Sequence, residues 1–441
     1  MKNKFKSLSK KLFSELKKDE ILTVSCTGEN SQFIRLNNAK IRQTGLVDDA
    51  DIQLKMIANN RTCTGSFTLS GDSDIDLSRG KTEIERMRLE SKEILEDPYI
   101  VMPSGSGSSH EVITAASGLS FDAAVDAIMP AVHGVDFVGI LANGRMYRGN
   151  SNSLGQEHWF ETESFCLDYS LVTKDHQMVK GTFAGTDWDQ GKYESYLQTS
   201  KQKLKMMELK PVSVDTGEYR TWFEPAAVSD FLDMFSWNGI SEASIQQGCS
   251  GFGKMRHDDV RLSPHFSISE DFSTGMVPKF NSNGEVAPSV VPIIKDGELV
   301  NTLVSSRTAA EYNRTTNYAE TGEYLRSPQM KPGDLKQEDI LKALDTGLYL
   351  SNIHYLNWSD NPGGRITGLT RYACFWVNNG EIEGPINTMR FDDTFYKYFG
   401  DNLEYVGGDT EFIPNTSTYG NREIGGTICP GILANSFALT L

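Results

Sequence analysis

The chain is poor in the side chains that build metal and nucleophile sites. It has seven histidines in 441 residues: His110, His133, His158, His176, His257, His265 and His354. No two lie three, four or five apart, so no single helix can offer two imidazoles on one face to zinc. The six cysteines, Cys26, Cys63, Cys166, Cys249, Cys374 and Cys429, are scattered without a C-x-x-C pair. That excludes a dense disulfide framework and reads as reduced thiols in a cytoplasmic protein. No G-x-S-x-G elbow follows a strand, so Ser/His/Asp machinery is not visible. No apolar run approaches the ~18 residues that crossing a bilayer requires, so no membrane partner is expected. Lys and Arg number 43 against 59 Asp and Glu, a formal net charge of −16. Such a chain repels phosphate backbones, and no direct nucleic-acid partner is expected. No fixed-period repeat marks a solenoid.

What is present is enough to build cores, with 38% hydrophobic and 10% aromatic residues. The length exceeds one core and suggests two or three units. The Lys-rich start interrupts any signal-peptide apolar region, and Phe5, Leu8, Leu12, Phe13 and Leu16 make one helical stripe suited to packing on its own domain. Short alternating runs at 21–26, 32–36, 40–44 and 52–58 predict an antiparallel meander, with turns at Glu29-Asn30, Asn37-Asn38 and Asn59-Asn60. A charged helix over 81–96 stops at Asp97-Pro98. Beyond the Gly/Ser-rich segment 103–109, Ser120 caps a helix to Met129, Asn143-Gly144 reads as a hairpin turn, strands follow at 165–172 and 178–183, and a long helix covers 189–207.

The second half opens with a strand at 221–223 and a helix from Pro225 to Phe235, proline standing where its missing N–H costs nothing. Turns at Asn283-Gly284 and Asp296-Gly297 separate β-rich runs such as 290–294 and 299–304. Gly347 reads as the C′ residue of a helix over 337–344. Runs 424–429 and 436–441 end the chain as strands. The fold class expected is α+β: an N-terminal α+β region of antiparallel strands and helices, then a large, mostly antiparallel β-rich domain. The units are 1–102, 103–213 and 214–441.

Candidate chemistry is sparse. Arg256-His257-Asp258-Asp259, with His265 eight residues on, could bind a divalent cation if the segment folds back; a solvated polar loop explains it equally well. Cys429 lacks a neighbouring His and reads as structural. A phosphate-cradling role for 103–109 lacks the lysine and helix cap of a P-loop. Tyr372, Phe375 and Trp376 could stack on a ligand, but Cys374 and Trp376 share one strand face and Phe375 takes the other, which suits core on both sides.

The clearest local signal is 368–391. Two β-branched and aromatic runs flank Asn379-Gly380, whose positive φ angles fit a two-residue type I′ turn. Phe375-Trp376-Val377-Asn378-Asn379-Gly380-Glu381-Ile382-Glu383-Gly384-Pro385-Ile386 resembles the late hairpin of the TldD/PmbA family, metalloprotease-related proteins once called modulators of DNA gyrase. Gln32-Phe33-Ile34-Arg35 with Ile41-Arg42-Gln43 resembles the family's early strand pair. Phe223-Glu224-Pro225-Ala226-Ala227 resembles the opening of its C-terminal domain, and Pro278-Lys279-Phe280-Asn281-Ser282-Asn283-Gly284 with Ile294-Lys295-Asp296-Gly297 resembles later segments.

The resemblance implies a two-branch family. One branch carries His-Glu-x-x-x-His on the helix that opens the C-terminal domain, plus a late cysteine, and binds zinc for peptide hydrolysis. Here the matching helix has no histidine. Near the late-cysteine position stand Thr418-Tyr419-Gly420-Asn421, and Cys429 lies too far along to be carried over. The chain thus resembles the TldE/PmbA branch: a cytoplasmic metallopeptidase-complex subunit that handles small or unfolded peptides, with substrate lying as an added strand in an interior cavity. The resemblance implies no catalytic residue, metal ligand or cofactor in this chain, zinc in a TldD-like partner subunit, and otherwise self-association as a homodimer. The alternatives are a self-sufficient metallohydrolase near His257, Asp258 and His265, and a homodimeric peptide-binding or regulatory protein.

Overall fold

The computed structural model describes all 441 residues. Its first half contains α1 (Lys2–Phe13), β1 (Ile21–Asn37), β2 (Lys40–Ala58), β3 (Arg61–Thr68), α2 (Ser73–Glu90), β4 (Ser109–Ile113), α3 (Ala124–Ile128), β5 (Asp136–Asn152), β6 (Glu157–Val172), β7 (Met178–Gly185) and α4 (Gln190–Met207). Its seven strands form one sheet in the order β3-β2-β1-β5-β6-β4, with β7 on β6. Strands from 1–102 and from 103–213 are therefore hydrogen-bonded neighbours: β1 pairs β5 from Thr23–Asn152 to Leu36–Gly139. The stripe on α1 is buried at Phe5, Leu8 and Leu12, and Phe5 packs against Trp159 of β6. No helix is long and apolar enough to cross a membrane.

The second half contains β8 (Gly217–Phe223), α5 (Pro225–Phe235), α6 (Glu242–Gln246), α7 (Gly253–His257), β9 (Ile268–Asp271), β10 (Val290–Lys295), β11 (Glu298–Leu299), α8 (Ser306–Tyr312), β12 (Pro328–Met330), α9 (Ile340–Leu344), β13 (Gly347–Asp360), β14 (Arg365–Asn378), β15 (Glu381–Pro385), β16 (Arg390–Thr394), β17 (Leu403–Pro414) and β18 (Gly426–Leu439). These strands make a second sheet, and part of it closes on itself. β8 runs parallel to β13 and antiparallel to β18, while β18 returns through β16 and β14 to β13. The apolar side chains of α5, Phe231, Leu232 and Phe235, belong to the same core as Phe223, Phe391, Ile432 and Phe437 of that ring. A helix apolar on this face is stable only where a curled sheet takes it in.

The α+β class is as the sequence indicated, as are α4, α5 and the turn at Asn379-Gly380, whose φ angles are +50° and +78°. Several local expectations are overturned, each by a tertiary partner. The four early runs fuse into two long strands, and Glu29-Asn30 lies within β1. Glu29, expected in a turn, is buried with its neighbour Ser31 against Arg422. Asn143-Gly144 lies within β5, paired on both sides. Gly144 has φ +138°, and an added Cβ would sit 2.2 Å from the Asn30 carbonyl oxygen, so the glycine serves close strand approach. Gly347 begins β13, and Asp345 ends α9 with φ +57° and ψ −85°. The helix expected from Ser120 is confined to α3, and the two terminal runs are one strand, β18.

The two halves share core. Ala373 and Phe375 of β14 cluster with Phe137, Leu141, Tyr169 and Leu197 of the first half. Cys374 belongs to the core of the second half, with Trp376 packed against it. The hairpin strand thus buries both faces.

Candidate functional site

Pro225 starts α5 at a position without an N–H partner, and Glu224 is its N-cap. The helix turns its aromatic residues into the ring. Leu232 and Asp233, with Ser236 and Trp237 just past its end, face a cavity of about 620 Å³ between the two sheets. The floor is the first sheet, through Ser25 to Thr27 of β1, Gln53 of β2 and Arg148 to Asn150 of β5. The remaining wall comes from Val277 to Ser282, Tyr324 to Arg326 and the segment 415–427.

Turn chemistry in the sequence brings that wall onto the floor. Gly284 has φ +78°, and a Cβ there would meet Gln156 Oε1 at 2.5 Å and Asn150 Oδ1 at 2.8 Å. His158 lies fully buried beneath, Nε2 3.0 Å from the Gly284 carbonyl oxygen and Nδ1 2.7 Å from Ser109 Oγ, its ring stacked on Phe280. Burial holds its pKa below the usual imidazole value. Lys55 Nζ donates to Asn283 Oδ1 at 2.7 Å.

Segment 415–425 is pinned through Arg422. Its backbone N–H donates to Glu29 Oε1 at 3.0 Å, and its guanidinium donates to Ser31 Oγ at 3.2 Å and Ser164 Oγ at 2.9 Å. Asn415, Glu423 and Ile424 face both the large cavity and a second one of about 290 Å³ that reaches Ser164 to Cys166 and Asp168 of β6. The pinned segment therefore divides one interdomain groove into two chambers.

The large chamber holds both signs of charge. Arg148 donates to the Tyr147 and Arg422 carbonyl oxygens at 2.8 and 3.3 Å. It forms no ion pair, and burial lowers its pKa to about 10. Across from it, burial and then the charge of Glu423 raise the Asp233 carboxyl. One turn earlier on α5, burial and then Asp233 push Asp230 up to about 7, against the backbone N–H of Ile353 and the Lys180 charge. Burial pushes the Cys26 thiol up to about 12, so it is not a nucleophile at neutral pH. The chamber offers hydrogen-bond donors and acceptors and an unpaired cation, the equipment of a polar-chain binding site.

Residues singled out from sequence lie elsewhere. His257 and Asp258 are exposed at the end of α7 and His265 is exposed on the following loop, while Arg256 turns to Glu242. No group of three or more His, Cys, Asp or Glu side chains is placed to hold a metal ion, here or elsewhere. Cys429 is buried in β18 and donates its S–H to the Pro225 carbonyl oxygen at 3.2 Å, beside the start of α5. Segment 103–109 is tied to the sheet edge by Asn152 and Gln156, which donate to the Ser104 and Ser106 carbonyl oxygens. Tyr372 sits in the left-handed region with φ +63°, under the Arg371 guanidinium. Sequence reasoning missed Arg148, Asp233 and Arg422. Asp233 alone carried a signal, as one of two carboxylates, with Asp230, on a largely apolar helix.

Residues 216–440 match the family model of the PmbA/TldA metallopeptidase C-terminal domain. Among solved structures, a putative modulator of a DNA gyrase from Thermotoga maritima superposes with TM-score 0.77 at 15% identity, covering 99% of this chain and all of its own. TldE from Thermococcus kodakarensis superposes with TM-score 0.74 at 14% identity over the whole of both chains. A putative modulator of DNA gyrase from Bacteroides thetaiotaomicron gives 0.75 at 13% identity, covering all of this chain and 98% of its own. No curated protein matches.

Proposed function

The chain belongs to the PmbA/TldD family, and from that premise we propose that it is a TldE-like subunit that binds peptide in the interdomain chamber and lacks a catalytic metal of its own. One observation carries the reading. The helix that would present zinc ligands turns Leu232 and Asp233 into the chamber, followed by Ser236 and Trp237, and no imidazole stands among the chamber's lining residues. These residues do not fit a zinc ion, which prefers four N or S donors in structural sites or three protein ligands in catalytic ones. Hydrolysis then falls to a TldD-like partner that supplies the zinc. Six unpaired thiols suit the reducing cytoplasm.

The chamber's polar walls favour extended peptide bound through main-chain hydrogen bonds, which need no fixed sequence. Arg148, without a carboxylate of its own, anchors an anionic group of the peptide. The test combines metal analysis of the purified chain with titration of a fluorescent unstructured peptide. The expected result is substoichiometric zinc, peptide binding weakened about tenfold or more by Arg148→Met, and cleavage only when a TldD-like subunit is added. Stoichiometric zinc with chelator-sensitive cleavage by this chain alone would overturn the proposal.

A further inference from the structure

The charged groups that line the large chamber divide into those already committed within the chain and those left free. Two cations line it, Arg148 and Arg326. Arg326 is committed: it donates to the Phe280 and Lys279 carbonyl oxygens and lies over the Phe272 ring. Arg148 rises from β5 and gives one N–H each to the Tyr147 and Arg422 carbonyl oxygens. The other N–H donors of its guanidinium have no acceptor, and Glu29 and Glu423 act on it only from beyond ion-pairing distance. A guanidinium buried in this state is costly to hold until a ligand supplies the missing anion. Among the lining carboxylates, Glu320 accepts from the Ser282 N–H and O–H groups. Asp233 and Glu423 are open to the chamber and form no ion pair or side-chain hydrogen bond within the chain. Glu423 lies within electrostatic reach of both Arg148 and Asp233. One cation and two carboxylates therefore remain for a ligand.

We infer that the chamber selects peptides by their ends: Arg148 takes the free C-terminal carboxylate, and Asp233 with Glu423 takes a cationic group of the same peptide, its α-amino group or a basic side chain. This selection rests on the reading of the chamber as a peptide site. A guanidinium binds a carboxylate through paired, charge-assisted N–H donors. The anion it meets is the terminal carboxylate because the lining is otherwise acidic, with Asp233, Glu320 and Glu423, so each further Asp or Glu on the ligand is repelled. The terminal carboxylate is also the one anion that every peptide fragment carries whatever its sequence, which suits recognition through the main chain. The reaction that supplies such ligands is hydrolysis of a longer chain. Each cut adds water across one amide and leaves one carboxylate and one amine, the two groups for which the chamber has free partners.

Competition with the fluorescent peptide tests it, using the full chain and unlabelled short peptides built from Ala, Ser, Gln and Tyr. The free acid should compete about tenfold better than the C-terminal amide, and Arg148→Met should erase that difference. N-acetylation should weaken competition about threefold, and Asp233→Asn combined with Glu423→Gln should remove that sensitivity. Recovery on placing a Lys in the acetylated peptide assigns the second contact to any cationic group; no recovery assigns it to the α-amino group alone. The chemistry is varied on the ligand with the chain unaltered, so the main comparison does not depend on how a variant folds. Equal competition by acid and amide, with Arg148→Met still weakening both, would overturn the selection of ends and leave the chamber as a peptide site. Failure of every form to bind would overturn both.

Discussion

Glu270 offers the sharpest check on how the chamber wall is held. It lies on β9, wholly buried, and its Oε1 accepts the backbone N–H groups of Arg326 and Ser327 at 2.9 Å each. Those residues lead from the chamber lining into β12. Burial outweighs the two N–H donors and the Arg326 charge, and the carboxyl is pushed up from its ordinary 4.5 to about 7. Between those values the folded chain keeps a proton that the unfolded chain has released. The stabilisation is therefore full below pH 4.5 and is lost as pH rises through 7. A rise of about 2.5 pH units corresponds to about 3 kcal/mol. Glu270→Gln keeps an acceptor oxygen and cannot ionise. Relative to the parent chain it should gain about 3 kcal/mol between pH 5 and pH 8, read from guanidinium unfolding at each pH. Parallel pH profiles for the two proteins would refute the reasoning.

Phe375→Ala removes a fully buried ring that the second half contributes to the core of the first. It should cost about 3–5 kcal/mol and separate the unfolding of the two halves in denaturant titration; a loss under about 1 kcal/mol would contradict the shared core. His158 is held neutral by burial, its pKa below 6.5. Its contribution is present above pH 6.5 and is lost as pH falls from there, because the unfolded chain takes the proton first. His158→Gln should flatten that acid limb in melting experiments, with the parent chain as reference because Glu270 acts in the opposite sense over the same range.

Local chemistry determined a good deal by itself. Asn379-Gly380 can adopt the left-handed angles of a type I′ turn without help, and Pro225 marks a helix start wherever it packs. The helical stripe of α1 and the spacing of Tyr193, Leu197 and Leu204 in α4 are periodic features that need no partner to be legible. The scarcity of paired histidines limited the metal chemistry before any fold was known. What the tertiary structure alone decided concerns polar residues that read as turns or loops. Glu29 and Asn143 became strand interior, and Glu29 with its neighbour Ser31 lies against Arg422, nearly four hundred residues away. Gly144 and Gly284 turned out to mark close approach of strand to strand and of half to half. The chamber itself belongs to no segment, since its floor, helix and walls come from positions between Ser25 and Thr427. Periodicity and turn propensity act over a few residues, whereas desolvation depends on whatever the rest of the chain brings near.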